Sequence, residues 1–201
     1  MDATDWDARY AGADLVWSAA PNVWVRELTS RMPSGRALDV AAGEGRNALW
    51  LVEQGWTVTA TDFSSVAVQR MSDIADQRLG SLRARLTTLV GDATADGEHS
   101  AYDLVLLCYL HLPDDEWRAA MRAATTAARP GGHVLVIGHA LRNLTEGVGG
   151  PQDPSILLDP EGVLASIEGL PVEVELAEIR ERSVEGADRP ALDTVVLLRR
   201  T

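Results

Sequence analysis

The run ALDVAAGEGRNALWL over Ala37–Leu51, followed by TVTATDFS over Thr57–Ser64, constrains this chain more than any other part of it. It reads as a short buried strand, a tight glycine turn, a helix, a second strand and an acid at that strand's end. Such an order holds an adenosine-containing cofactor at the carboxyl edge of a parallel sheet. The pattern Gly43-x-Gly45-x-x-Ala48 is compatible with a dinucleotide, so spacing alone leaves the cofactor open. The charges narrow it. A dinucleotide places two phosphates over the first helix, where free N–H groups favour anions, and Asp39 and Glu44 would crowd that place with like charge.

The remaining chain continues the alternation. Trp6 to Leu28 reads as a cap, with Leu15, Trp17, Val23, Trp24 and Leu28 apolar and Pro21 interrupting any continuous helix. The first strand is Ala37–Ala41, and the helix Arg46–Gln54 stops at Gly55, a residue that accepts the left-handed conformation. Strand two is Thr57–Thr61, Ser64 caps a helix running to about Leu79, and Leu86–Val90 supplies strand three. Tyr102–Tyr109 carries the strongest strand signal. Pro113, with Asp114, Asp115 and Glu116 at the positive helix end, opens a helix to about Arg129. Pro130-Gly131-Gly132 breaks the chain before a fifth strand, His133–Gly138. Gly147 through Pro154 is loop, Asp159-Pro160-Glu161 opens a short helix, and Val172–Val184 with Leu192–Arg199 suits an antiparallel hairpin. These elements predict one α/β domain: a cap over residues 1–32, a cofactor-binding core over 36–140, a substrate-side loop and helix over 141–170, and the hairpin over 171–200.

Asp39-Val40-Ala41-Ala42-Gly43-Glu44-Gly45, Asp62, Gly91-Asp92-Ala93 and Arg129-Pro130-Gly131-Gly132 together resemble the class I S-adenosylmethionine-dependent methyltransferases over most of the chain. Ala41 stands where that family's acidic-x-Gly-x-Gly-x-Gly turn has its first glycine, a mild departure. The resemblance implies a Rossmann-like domain whose mostly parallel seven-stranded sheet has the order 3-2-1-4-5-7-6, strand 7 antiparallel, with helices on both faces. It implies S-adenosylmethionine as cofactor and S-adenosylhomocysteine as product. Asp62 would bind the ribose hydroxyls and Asp92 the adenine amino group. Asp39, Ala41, Gly43, Gly45, Arg46, Phe63, Ala93 and Cys108 complete the expected cofactor set. This cofactor has no phosphate and carries a sulfonium and an ammonium, which suits the acids around the turn. Gly45-Arg46-Asn47 at the helix head further resembles the bacterial tellurite-resistance and thiopurine-methyltransferase-like branch, which implies a small acceptor, often a thiol or another soft centre. An NAD-dependent oxidoreductase and a non-catalytic cofactor-binding protein are the alternatives.

His139 and His111 follow predicted strands at the ligand-binding edge and Tyr109 ends one, and the three are the candidates for chemistry on the acceptor. A histidine near its ordinary pKa of about 6.5 accepts a proton near neutrality. Tyr10, Trp17, Arg142 and Asn143 are the candidates for substrate contact, and 143–152 for a gate. The four histidines and single cysteine form no metal-ligand pattern. A net charge of −12 disfavours nucleic acid. No apolar run reaches membrane length and no signal peptide opens the chain, so a cytoplasmic monomer or homodimer is expected.

Overall fold

A computed structural model describes residues 3–12, 20–95 and 97–201. Seven strands form one sheet in the order β3-β2-β1-β4-β5-β7-β6. They are β1 (Arg36–Val40), β2 (Thr57–Asp62), β3 (Leu86–Val90), β4 (Tyr102–Cys108), β5 (Ala128–His139), β6 (Val172–Arg182) and β7 (Ala191–Arg200). β1 pairs with β2 and β2 with β3 in parallel, whereas β7 is antiparallel to both β5 and β6. This is a Rossmann-like α/β methyltransferase fold with the expected strand order. Flanking it are α1 (Ala3–Ala11), α2 (Val23–Thr29), α3 (Arg46–Glu53), α4 (Ser65–Arg78), α5 (Asp114–Ala127), α6 (Asn143–Glu146) and α7 (Pro160–Ser166). The described residues divide into two compact units, one within Met1–Ala93 and Tyr102–Leu104, the other within Thr94–Ala101 and Val105–Thr201.

In the first unit, alternating burial along β2 turns Val58, Ala60 and Asp62 inward. Ala48, Leu49, Leu51 and Val52 form the buried face of α3. Each large aliphatic side chain removed from water in this way contributes about 1.5–3 kcal/mol. Helix starts are set by side chains: Ser64 Oγ accepts the N–H of Ala67 at the head of α4, and Asn22 Oδ1 those of Trp24 and Val25 at the head of α2. Asn47 Oδ1 accepts the Asn22 N–H at 2.9 Å, which ties α2 to α3.

The second unit is built on β7, whose residues 191–198 are all buried. A strand covered on both faces reads as a continuous apolar run rather than an alternation. One expectation needs correcting here. Pro130-Gly131-Gly132 does not precede β5 but lies inside the extended run that begins at Ala128, where Gly131 adopts φ 78°. Proline's fixed φ is compatible with extended backbone, so the chain turns at the glycine. Residues 143–146, expected within a loop, form a single helical turn. Among the described residues, no helix is long and apolar enough to cross a membrane.

Candidate functional site

The turn after β1 is anchored to the end of β2 by hydrogen bonds that leave one acid unsatisfied. Ala42 N–H donates to Thr61 O at 2.9 Å, and Gly43 N–H to Asp62 Oδ2 at 2.8 Å. Asp62 Oδ1 accepts the Ser64 N–H at 3.0 Å, while its carbonyl accepts Gly91 N–H at 3.0 Å. A single aspartate thereby fixes the turn after β1, the entry to α4 and the end of β3. Burial raises its pKa, opposed by the Ser64 and Gly43 N–H groups. Ala41 sits at φ 55°, and Gly45 at φ 82° with Met71 so close that an added Cβ would lie 2.7 Å from its sulfur. Glycine is required there on both counts.

Asp39 ends up in the most demanding place. It is 1% exposed, and Oδ2 has no hydrogen-bond partner among the described residues. Burial pushes its carboxyl up to about 7, offset in part by the Arg46 charge and the Ala48 N–H. A buried carboxylate oxygen without a donor costs free energy that a cationic ligand group or its bound water would recover. Phe63 is 38% exposed beside Asp62, and Asp92 is exposed just beyond β3.

α1 is attached to the same turn. Asp7 Oδ1 accepts the Ser64 hydroxyl and, at 3.4 Å, the Val66 N–H. Arg70 donates to the Tyr10 carbonyl and lies 3.1 Å from Glu44 Oε1. Tyr10, expected to touch substrate, is 3% exposed and stacked on Trp6 at 5.6 Å. Trp17 lies outside the described residues. Neither Asp7 nor Arg70 was legible as a site residue, because nothing in the local sequence marks a contact made across 57 to 60 positions.

In the second unit, the ends of β4 and β5 bring the three catalytic candidates together. Tyr109 is at φ 59°, a conformation that costs a bulky residue about 1–3 kcal/mol and is kept only where the surroundings enforce it. Its N–H donates to Ile137 O at 2.7 Å and its hydroxyl to Asp193 Oδ2 at 2.9 Å. The rings of His111 and His139 stack 5.6 Å apart at 7°, with Tyr109 4.7 Å from His139. His139 Nδ1 lies 3.7 Å from Asp193 Oδ1. Arg182 Nε donates to Asp193 Oδ2 at 2.7 Å, and its guanidinium stands 5.8 Å from the Tyr109 ring. Gly150 lies against the His139 ring, where an added Cβ would come within 2.9 Å.

Electrostatics separate these candidates. Burial first, then the neighbouring His139, lowers His111 to about 4, so it is neutral at pH 7. Burial and the Asp193 charge raise the Tyr109 pKa, leaving its phenol a donor. Cys108, at the end of β4, is half-buried. Asn143, expected to touch substrate, is 3% exposed, with Oδ1 accepting the Leu192 N–H at 2.7 Å and Nδ2 donating to Val148 and Gly149 carbonyls, so its amide ties α6 to the following loop and to β7. Arg142 is exposed and donates through Nε and Nη2 to both Glu146 carboxylate oxygens. Asp193 and Arg182 were missed. The available signal was Asp193 itself, a lone acid in the apolar run ALDTVVLL, because a fully buried carboxylate implies partners. Among the described residues, no three potential ligands converge on a metal position.

Comparison with known proteins agrees with the fold. Residues 37–132 match a family profile described as a methyltransferase domain. Rat glycine N-methyltransferase is 30% identical over 143 residues, covering 65% of this chain and 48% of that protein. The chain thus spans about half the length of the curated relatives it matches. A solved structure from work on the conversion of a disulfide bond into a thioacetal group during echinomycin biosynthesis superimposes with a TM-score of 0.80 at 22% identity, covering 98% of this chain and 91% of that one. TehB from Haemophilus influenzae superimposes with a TM-score of 0.71 at 18% identity, covering 92% and 64%.

Proposed function

We propose that this protein is an S-adenosylmethionine-dependent methyltransferase acting on a small molecule. The observation that carries the reading is Asp39: a buried carboxyl with an unsatisfied oxygen, beside the glycine turn of a methyltransferase fold. The residues fit the cofactor. Asp39 would face its ammonium directly or through water, and the Gly43–Gly45 turn its amino-acid portion. Asp62, whose carboxylate oxygens retain lone pairs beyond the two N–H groups they accept, would take the ribose hydroxyls. Phe63, Asp92 and Ala93 would border the adenine. When bound, S-adenosylmethionine supplies an electrophilic methyl on a sulfonium. Methyl transfer to a small acceptor needs alignment more than a protein nucleophile, and the acceptor we infer is a thiol or another soft nucleophile, with a neutral amine as a second class. Support comes from the neutral rings of Tyr109 and His111 and from two relatives, one named for methylating the nitrogen of glycine and one described with sulfur chemistry on echinomycin. The tellurite-resistance branch remains part of the proposal through Gly45-Arg46-Asn47, although Asn47 already has a structural partner in Asn22.

Calorimetric titration of the purified protein with S-adenosylmethionine, S-adenosylhomocysteine and NAD tests this. Saturable binding of the first two without the third is expected. NAD binding alone, or binding of none, would sink the reading. Asp62→Ala should weaken binding of S-adenosylmethionine by about 1–3 kcal/mol, on the order of 10- to 100-fold, because it removes the acceptor of two buried N–H groups as well as the ribose partner.

A further inference from the structure

Within that reading, we propose that Asp193 on β7 is the positioning residue of a Tyr109–His139–Asp193 unit. The unit takes a proton from an acceptor that enters neutral and protonated. Asp193 is 0% exposed; its carboxylate accepts hydrogen bonds from the Tyr109 hydroxyl and the Arg182 guanidinium, and its Oδ1 lies 3.7 Å from His139 Nδ1, within ion-pair range but longer than a hydrogen bond. A carboxylate facing one ring nitrogen of an imidazole favours the proton on that nitrogen, since a lone pair there would point at negative charge. With the proton on His139 Nδ1, toward Asp193, Nε2 is left as the basic lone pair.

The neighbours support this assignment. Arg182 balances the charge of Asp193 and fixes its orientation through Nε at 2.7 Å and Nη2 at 3.4 Å. Tyr109 stays a donor, and its strained backbone is held by the same carboxylate. His111, stacked on His139, remains neutral near pH 7, so the pair receives a single proton. The His111 Nε2 atom is buried and has no hydrogen-bond partner among the described residues, an independent sign that a polar ligand group completes this cluster. Tyr109 and His111 from the end of β4 and Asp193 from β7 are titratable groups beside His139, and Arg182 of β6 reaches Asp193 and the Tyr109 ring.

The step balances. As the acceptor's lone pair is committed to the methyl carbon, its bond to hydrogen breaks and the proton passes to His139 Nε2. The positive charge that leaves sulfur reappears on the imidazolium, where Asp193 stabilises it. An acceptor that is already anionic would need no such unit, so the acceptor class is a neutral amine, phenol or un-ionised thiol.

Long-range proton–nitrogen NMR of the imidazoles, on the full chain above pH 7, tests the proposal without a substrate. His139 should carry its proton on Nδ1. Asp193→Asn should redistribute it between the two nitrogens, Asp193→Glu should restore it, and Tyr109→Phe should leave it in place. A proton on Nε2 in the unmodified protein overturns the proposal, even if Asp193→Asn fails to fold. So does an unchanged tautomer in a folded Asp193→Asn. With benzylamine, phenol and phenylmethanethiol, an alkyl thiol un-ionised near neutral pH, as probes, any that is methylated should lose kcat by roughly 10²- to 10⁴-fold in Asp193→Asn at little cost in KM. Equal losses in both parameters, or none, count against the positioning role. Calorimetry with S-adenosylmethionine separates the two levels: absent cofactor binding fails the function, whereas intact binding with the wrong tautomer fails only this inference.

Discussion

Asp39 is the residue whose chemistry and surroundings disagree most. Its carboxyl is raised to about 7 from 3.8 chiefly by burial, so below neutrality it keeps a proton that the unfolded chain gives up. A cationic ligand group beside it reverses that preference. Binding of S-adenosylmethionine near pH 6 should therefore release protons, read as a dependence of calorimetric enthalpy on the ionisation enthalpy of the buffer. The release should fade above pH 8 and disappear in Asp39→Asn, whose affinity should fall by about 1–3 kcal/mol. Proton uptake, or a buffer-independent enthalpy, would remove Asp39 from the cofactor site. The acids on the glycine turn were readable because they stand at fixed offsets from glycines. The partners of Asp193 were not, because Tyr109 and Arg182 stand 84 and 11 positions away and no local period encodes either distance.

At the level of elements, capping residues carried most of what could be read. Ser64 and Asp159 were identified as helix starts, and each accepts the N–H three residues on, Ala67 and Gly162. The β6–β7 hairpin was visible from two β-rich runs separated by Gly186 and Pro190. The segment after β5 was less legible, because a four-residue helix has too few positions to show a period. Its stability rests on Asn143, which joins α6, the following loop and β7. Asn143→Ala would leave the Leu192 N–H without its acceptor and release two loop carbonyls. The expected cost is about 1–3 kcal/mol in denaturant unfolding, with faster hydrogen exchange over residues 147–153. If stability is unchanged and substrate affinity falls instead, the expectation of substrate contact is supported.

For the molecule as a whole, buried acids and a buried histidine give pH dependences of opposite sign. Asp39 has a raised folded pKa, so its contribution is complete below pH 4 and is lost as pH climbs toward 7. Asp62 acts in the same direction. His111 is depressed to about 4 from 6.5, so its contribution is present above 6.5 and is lost as pH falls through 4. Relative to the unmodified chain, His111→Gln should lose stability progressively from about pH 4 to 6.5, whereas Asp39→Asn should gain it from about pH 4 to 7. Urea midpoints across that range check both slopes; parallel curves would show that neither group titrates as its burial requires. The antiparallel course of β7 has a consequence for which changes the chain tolerates. Asp193 lies opposite His139 and Arg180 in the ladder, two residues beyond Ala191 at the strand's start. The strand thus acts as a ruler, counted from its own ladder rather than from the hairpin. Residues added between 183 and 190 lengthen an exposed bend and leave the count intact. One residue added within β7 before Asp193 would turn the acid to the opposite face and present a neighbour in its place.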